Sequence, residues 1–137
     1  MWAVFALFSA IFAALTSILG KIGVENVNSN LATAIRTIVV LVLAWAMVFV
    51  TRTQGGLVSI SRRSLLFLVL SGIATGLSWL CYYRALQTGP ASKVIPIDKS
   101  SVVFGMILAF VVLRETFTVK TIIGGSLIVI GTFVLIF

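Results

Sequence analysis

Five apolar runs, at 2–19, 31–50, 65–83, 91–113 and 119–137, follow one another with only short connectors between them. A helix needs roughly 20 apolar residues at ~1.5 Å rise each to clear a ~30 Å hydrocarbon core, and every run meets that length. Backbone amides inside lipid must be satisfied within their own segment, so each run reads as a helix. The sequence therefore predicts an all-α integral membrane protein with five transmembrane helices, and no connector is long enough for an extramembrane domain. A composition of 61% hydrophobic and 9% charged residues excludes an ordinary soluble domain. The first run lacks a basic leader, exceeds a typical signal-peptide core and leads directly into further spans, so it is expected to be a mature helix.

The formal charge of +7 would suggest nucleic acid in a soluble chain. Here the basic residues fall mostly in loops, which points to membrane lipids as partners and to no nucleic acid. Five spans put the termini on opposite sides. One side receives Arg52, Arg62, Arg63, Arg114 and Lys120, and the other Lys21, Arg84 and Lys93. The excess on the first side favours a cytoplasmic N-terminus in a multi-pass protein of the cell membrane. The bias is small enough that insertion in both orientations stays open.

Histidine is absent, Cys81 is the lone cysteine, and the acids are Glu25, Asp98 and Glu115. That set assembles no familiar hydrolytic or metal constellation, so the expectation is a non-enzyme with no metal and no cofactor.

Small residues at Ala6, Ala10 and Ala13, continued by Ser17 and Gly20, share one face of the first span and suit close helix packing. Gly72 and Gly76 stand at GxxxG spacing in the third span, and Gly124 and Gly125 offer a further packing face in the fifth, where Thr118 is a plausible N-cap. Arg36 lies about five residues inside the second span, with Thr33 and Thr37 on its face. A guanidinium at that depth must snorkel, find a partner or face water. In the third span Trp79, Tyr82 and Tyr83 form either an interfacial belt or a pocket wall, with Trp79 the deepest.

The fourth span opens with Lys93, Pro96, Asp98, Lys99, Ser100 and Ser101. If its helix runs from Ala91, Pro96 deprives the Ser92 carbonyl of its partner and favours a kink. If it begins near Val94, Pro96 is a first-turn proline and Asp98 sits at the favourable positive end. Asp98 and Lys99, about 100° apart on a helix, are not expected to face each other, so each needs its own partner.

The string from Trp79 to Leu86 with Gly89, Pro90, Ala91, Ser92 and Pro96 resembles the EamA-like repeat of the drug/metabolite transporter superfamily. Ala32 to Thr37, Lys21, and Arg114 with Glu115 match as well, so the resemblance covers essentially all of 1–137 as a single EamA-like transmembrane domain. It implies a half-size secondary transporter, since larger members carry two such repeats in inverted orientation around a central cavity. Transport sites commonly lie between inverted repeats at the midplane, which two oppositely inserted copies would rebuild. The expected assembly is an antiparallel homodimer or a pair with a homologous five-helix chain.

The resemblance implies alternating-access movement of a small-molecule substrate in the direction of export, and the positive character that Arg36 and Lys99 would give the cavity points to an amino acid or organic acid. Arg36 and Lys99 would contact its carboxylate and Trp79 and Tyr82 would line the pocket. Asp98 would carry a proton or orient Lys99, and Pro96 would kink the helix. Two other readings stand beside this one: a non-transporting assembly subunit, or a subunit of a flippase for lipid-linked substrates.

Overall fold

The structure, a computed structural model, describes residues 1–116 and 118–137. Its helices are α1 (Trp2–Gly23), α2 (Ser29–Val50), α3 (Arg62–Thr88), α4 (Ala91–Lys99), α5 (Ser101–Leu113) and α6 (Val119–Ile136), with a 3-10 turn at Gln54–Ser59. Among the described residues there are no strands, and five helical segments are long and apolar enough to cross a membrane, with α4 and α5 together making one of them. The protein is therefore an all-α membrane protein, as the apolar runs require.

Local chemistry sets the helix ends. Asn28 caps α2 through its side-chain oxygen, which accepts from the Asn30 amide at 2.9 Å. Thr118 does the same for α6, accepting from the Thr121 amide at 3.2 Å. α3 runs past its apolar stretch at both ends, because Arg62–Ser64 and Arg84–Thr88 keep hydrogen bonding beyond the apolar residues until Gly89 and Pro90 stop it.

The fourth span begins at Ala91, with Pro90 in the N-cap position, so Pro96 lies inside a helix. The alternative start near Val94 is not adopted, and Asp98 consequently sits next to the C-terminal end of α4 rather than at its positive end. The interruption itself falls at Ser100, whose amide reaches both Pro96 and Ile97 carbonyls at 3.1 Å and whose hydroxyl donates to the Ile97 carbonyl at 2.6 Å. A missing donor at Pro96 and a hydroxyl competing for backbone acceptors one turn later divide the span.

The chain divides into two compact units. In Leu19–Gln87, the Lys21 ammonium donates to the Leu86 carbonyl at 2.6 Å. The Gln87 amide donates to the Val27 and Val24 carbonyls at 2.9 and 3.3 Å. These bonds tie the α1–α2 turn to the last turn of α3 around Val24 and Leu86, both fully buried. In the unit formed by Met1–Ile18 and Thr88–Phe137, α6 packs along α4 and α5. There Lys93 donates to the Ile136 carbonyl at 2.7 Å, closing the end of α6 with a cation.

Candidate functional site

Arg36 lies seven residues after the start of α2 at Ser29, or ~10 Å along the helix axis. Thr33 and Thr37 beside it return their hydroxyls to the carbonyls of Ser29 and Thr33 at 2.8 and 2.7 Å, so neither offers its proton to the arginine. The Arg36 guanidinium carbon instead stands 4.0 Å from the centre of the Trp79 ring and 5.5 Å from that of Tyr83. Trp79 and Tyr83 are one helical turn apart on α3, which is why both rings meet the same cation. Such contacts are worth up to about 2 kcal/mol each where water is excluded.

Stacking satisfies the faces of a guanidinium and leaves its in-plane N–H donors unused. Among the described residues the Arg36 side chain has no hydrogen-bonded acceptor and no ion pair, so its in-plane donors are open to a group from outside the chain. Tyr83 is 4% exposed, while Tyr82 is half-buried with its ring edge-on to Tyr83 at 6.1 Å between centres. Tyr83 rather than Tyr82 thus completes the aromatic wall around Arg36. The i, i+4 relation to Trp79 was the available signal.

Tyr83 is positioned in turn by a glycine. A Cβ placed on Gly20 would lie 3.1 Å from the Tyr83 hydroxyl and 3.4 Å from Cζ, so the absence of a side chain there admits the phenol.

Asp98 and Lys99 belong to the other unit. Contrary to the sequence expectation, they pair with each other, Lys99 Nζ to Asp98 Oδ2 at 3.3 Å. Helix geometry separates neighbouring Cβ positions, but the long lysine stem at the end of α4 curls back across that angle. Each charge therefore has its partner in the next residue, and Lys99 differs from Arg36 in having an acceptor.

Of the small-residue positions, Gly125 is buried, and a Cβ there would meet the Met106 terminal methyl at 2.9 Å. At Gly72, Gly76 and Gly124 an added Cβ would meet nothing within 4 Å. On α1, Ala6 and Ala10 are exposed, Ala13 is half-buried and Ser17 is buried, its hydroxyl donating to the Ala13 carbonyl at 2.9 Å. Among the described residues no group of three or more histidine, cysteine, aspartate or glutamate side chains is placed to hold a metal.

Five apolar crossings, one carrying an arginine stacked on aromatic rings and another an Asp–Lys pair, define a multi-pass α-helical membrane protein. The chain belongs to the EamA-like transporter family, whose model matches residues 1–137. It is 43% identical over 134 residues, 98% of this chain and 95% of the relative, to a Sinorhizobium protein named "Uncharacterized transporter in cobO 3'region". No solved structure matches the chain significantly.

Proposed function

We propose that this protein is a half-size secondary transporter that moves a small carboxylate-bearing metabolite, an amino acid or organic acid, across the cell membrane. Alternating access carries it, in the direction of export. The observation behind this reading is Arg36: a guanidinium within an apolar span, stacked on Trp79 and Tyr83, with no acceptor among the described residues. A carboxylate is the group whose geometry matches the unused fork. Trp79 and Tyr83 hold the arginine flat, and Tyr82 lies beside them at the edge of the site.

The working unit is an antiparallel homodimer. Only three hydrophobic side chains, Val24, Tyr83 and Leu86, are buried among the described residues, and Gly72, Gly76, Gly124, Ala6 and Ala10 lie on faces open to another helix. Small exposed residues of this kind suit close backbone approach in lipid. Pro96 and the division at Ser100 supply a flexible point in the fourth span, and Asp98 is the acid available there to exchange a proton, releasing or reclaiming Lys99 as it does so.

The test is reconstitution of the purified chain alone in vesicles, followed by uptake of a panel of labelled amino and organic acids with and without a pH gradient. Saturable uptake that Arg36→Ala abolishes supports the reading. Uptake unchanged by Arg36→Ala removes the carboxylate contact, and full pH-driven uptake by Asp98→Asn removes the proton role. No uptake without a second protein returns the chain to an accessory role. Reporters fused to the C-terminus, one active only inside the cell and one only outside, test the antiparallel pair: signal from a single side excludes it.

A further inference from the structure

The connector between α2 and α3 carries Arg52 and leads into Arg62 and Arg63 at the start of α3, and none of the three side chains has a hydrogen bond or ion pair among the described residues. No carboxylate occurs between Glu25 and Asp98 in sequence, so the connector has no acid of its own to balance three cations.

Each arginine is also placed against local preference. Arg52 closes the end of α2 in the left-handed region at φ 53°, where a glycine would sit without steric cost. Arg62 and Arg63 open α3, at the end of a helix that favours negative rather than positive side chains. Local rules broken three times around one connector, with nothing inside the chain gained, mark a surface shaped for something outside it. Between the arginines in sequence, the 3-10 turn Gln54–Ser59 carries Leu57 and Val58, 55% and 95% exposed.

We propose that this connector is a membrane-surface foot that binds anionic phospholipid. Arg52, Arg62 and Arg63 engage headgroup phosphodiesters, and Leu57 and Val58 enter the boundary between headgroups and acyl chains. Cations flanking an apolar turn match that boundary, where phosphate lies above hydrocarbon; a soluble phosphate would have no use for Leu57 and Val58. A charge that served only to orient the chain during insertion would need neither the apolar turn nor the left-handed arginine. The inference is independent of the proposed transport.

The experiment uses the full chain carrying Cys81→Ser and Gln54→Cys, labelled at residue 54 with an environment-sensitive fluorophore. It is reconstituted in phosphatidylcholine vesicles containing brominated phosphatidylglycerol or, at the same mole fraction, brominated phosphatidylcholine. Both leaflets carry the quencher, so the reading does not depend on insertion direction. The anionic quencher is expected to be about threefold or more as effective as the neutral one, from the attraction of a basic segment to anionic lipid. Replacing all three arginines with glutamine is expected to remove the preference, whereas replacing all three with lysine retains most of it and shows that the fold survives. Leu57→Asp with Val58→Asp is expected to weaken quenching by both lipids. Equal quenching in the unsubstituted connector, a preference that survives the glutamine variant, or its loss to soluble glycerol phosphate at matched ionic strength would each overturn the proposal.

Discussion

Gly20 and Tyr83 meet where α1 ends and α3 approaches its last turn: a single added methyl on the glycine would stand 3.1 Å from the phenol oxygen. Because that same ring lies 5.5 Å from the Arg36 guanidinium, a residue that touches no substrate in the proposed mechanism controls one wall of the anion site. Overpacking by Gly20→Ala is partly offset by alanine's better helix propensity within α1, so the expected net cost is up to about 2 kcal/mol of stability, together with weaker carboxylate binding. Tyr83→Phe removes the nearest atom of the contact, so the double variant should recover most of the stability. Thermal unfolding and ligand titration of the four proteins check this; a double variant no better than Gly20→Ala refutes the coupling.

Trp79 is the closer of the two rings to Arg36, at 4.0 Å. Trp79→Leu is expected to lower affinity for a carboxylate ligand by about 1–2 kcal/mol, since the guanidinium loses its aromatic support, while Trp79→Phe keeps part of it. Isothermal titration of both variants decides it, and equal affinities for Leu and Phe would show that the ring is only filler.

The Lys21–Leu86 bond joins a cation to one of the carbonyls that a helix C-terminus leaves without an intrahelical partner. Lys21→Met keeps the stem and removes the donor, and its expected cost is about 1–3 kcal/mol for a buried acceptor left unmet. Denaturation in detergent measures it; an unchanged midpoint would mean that water or another group replaces the ammonium.

Gly125 and Gly72 make opposite demands. The atom facing Gly125 is the terminal methyl of Met106, the mobile end of a flexible side chain, so Gly125→Ala should cost under about 1 kcal/mol despite the 2.9 Å approach. At Gly72 an added Cβ would meet nothing within 4 Å, so Gly72→Leu should leave the monomer about as stable as before while weakening dimerisation. Paired unfolding and cross-linking assays separate the two, and a dimer indifferent to Gly72→Leu would take that face out of the interface.

Replacing Pro96 with alanine restores a donor for the Ser92 carbonyl and a continuous first half to the fourth span. The expected result is a more stable protein with slower turnover and nearly unchanged ligand affinity. Stopped-flow uptake set against equilibrium binding reads the split; faster turnover would remove Pro96 from the moving parts.

The number and type of crossings were legible in sequence because hydrophobic length alone fixes them. Arg36 and Trp79 stood out for the same reason, a charge and an indole inside apolar runs, but their contact was not, since it depends on which faces of two helices meet. Tyr83 was hidden behind Tyr82, and only the turn-to-turn spacing from Trp79 distinguishes them. The Asp98–Lys99 pair does not follow from Cβ directions, because a lysine has four further bonds in which to turn back toward its neighbour. The division at Ser100 rather than at Pro96 arises from a hydroxyl's competition for backbone carbonyls, for which a lone serine gives no pattern.

With three buried apolar side chains among the described residues, the chain has little interior of its own. In lipid this is not a defect, because acyl chains and leucines are nearly equivalent neighbours, and greasiness alone gives two copies no reason to leave the lipid for each other. Under the proposed pairing, association rests on fit, and at low copy number the population of working pairs rises as the square of the areal density. Expression level would then act as a throttle on transport: a cell with half as many copies would keep about a quarter of the activity, with no regulator involved.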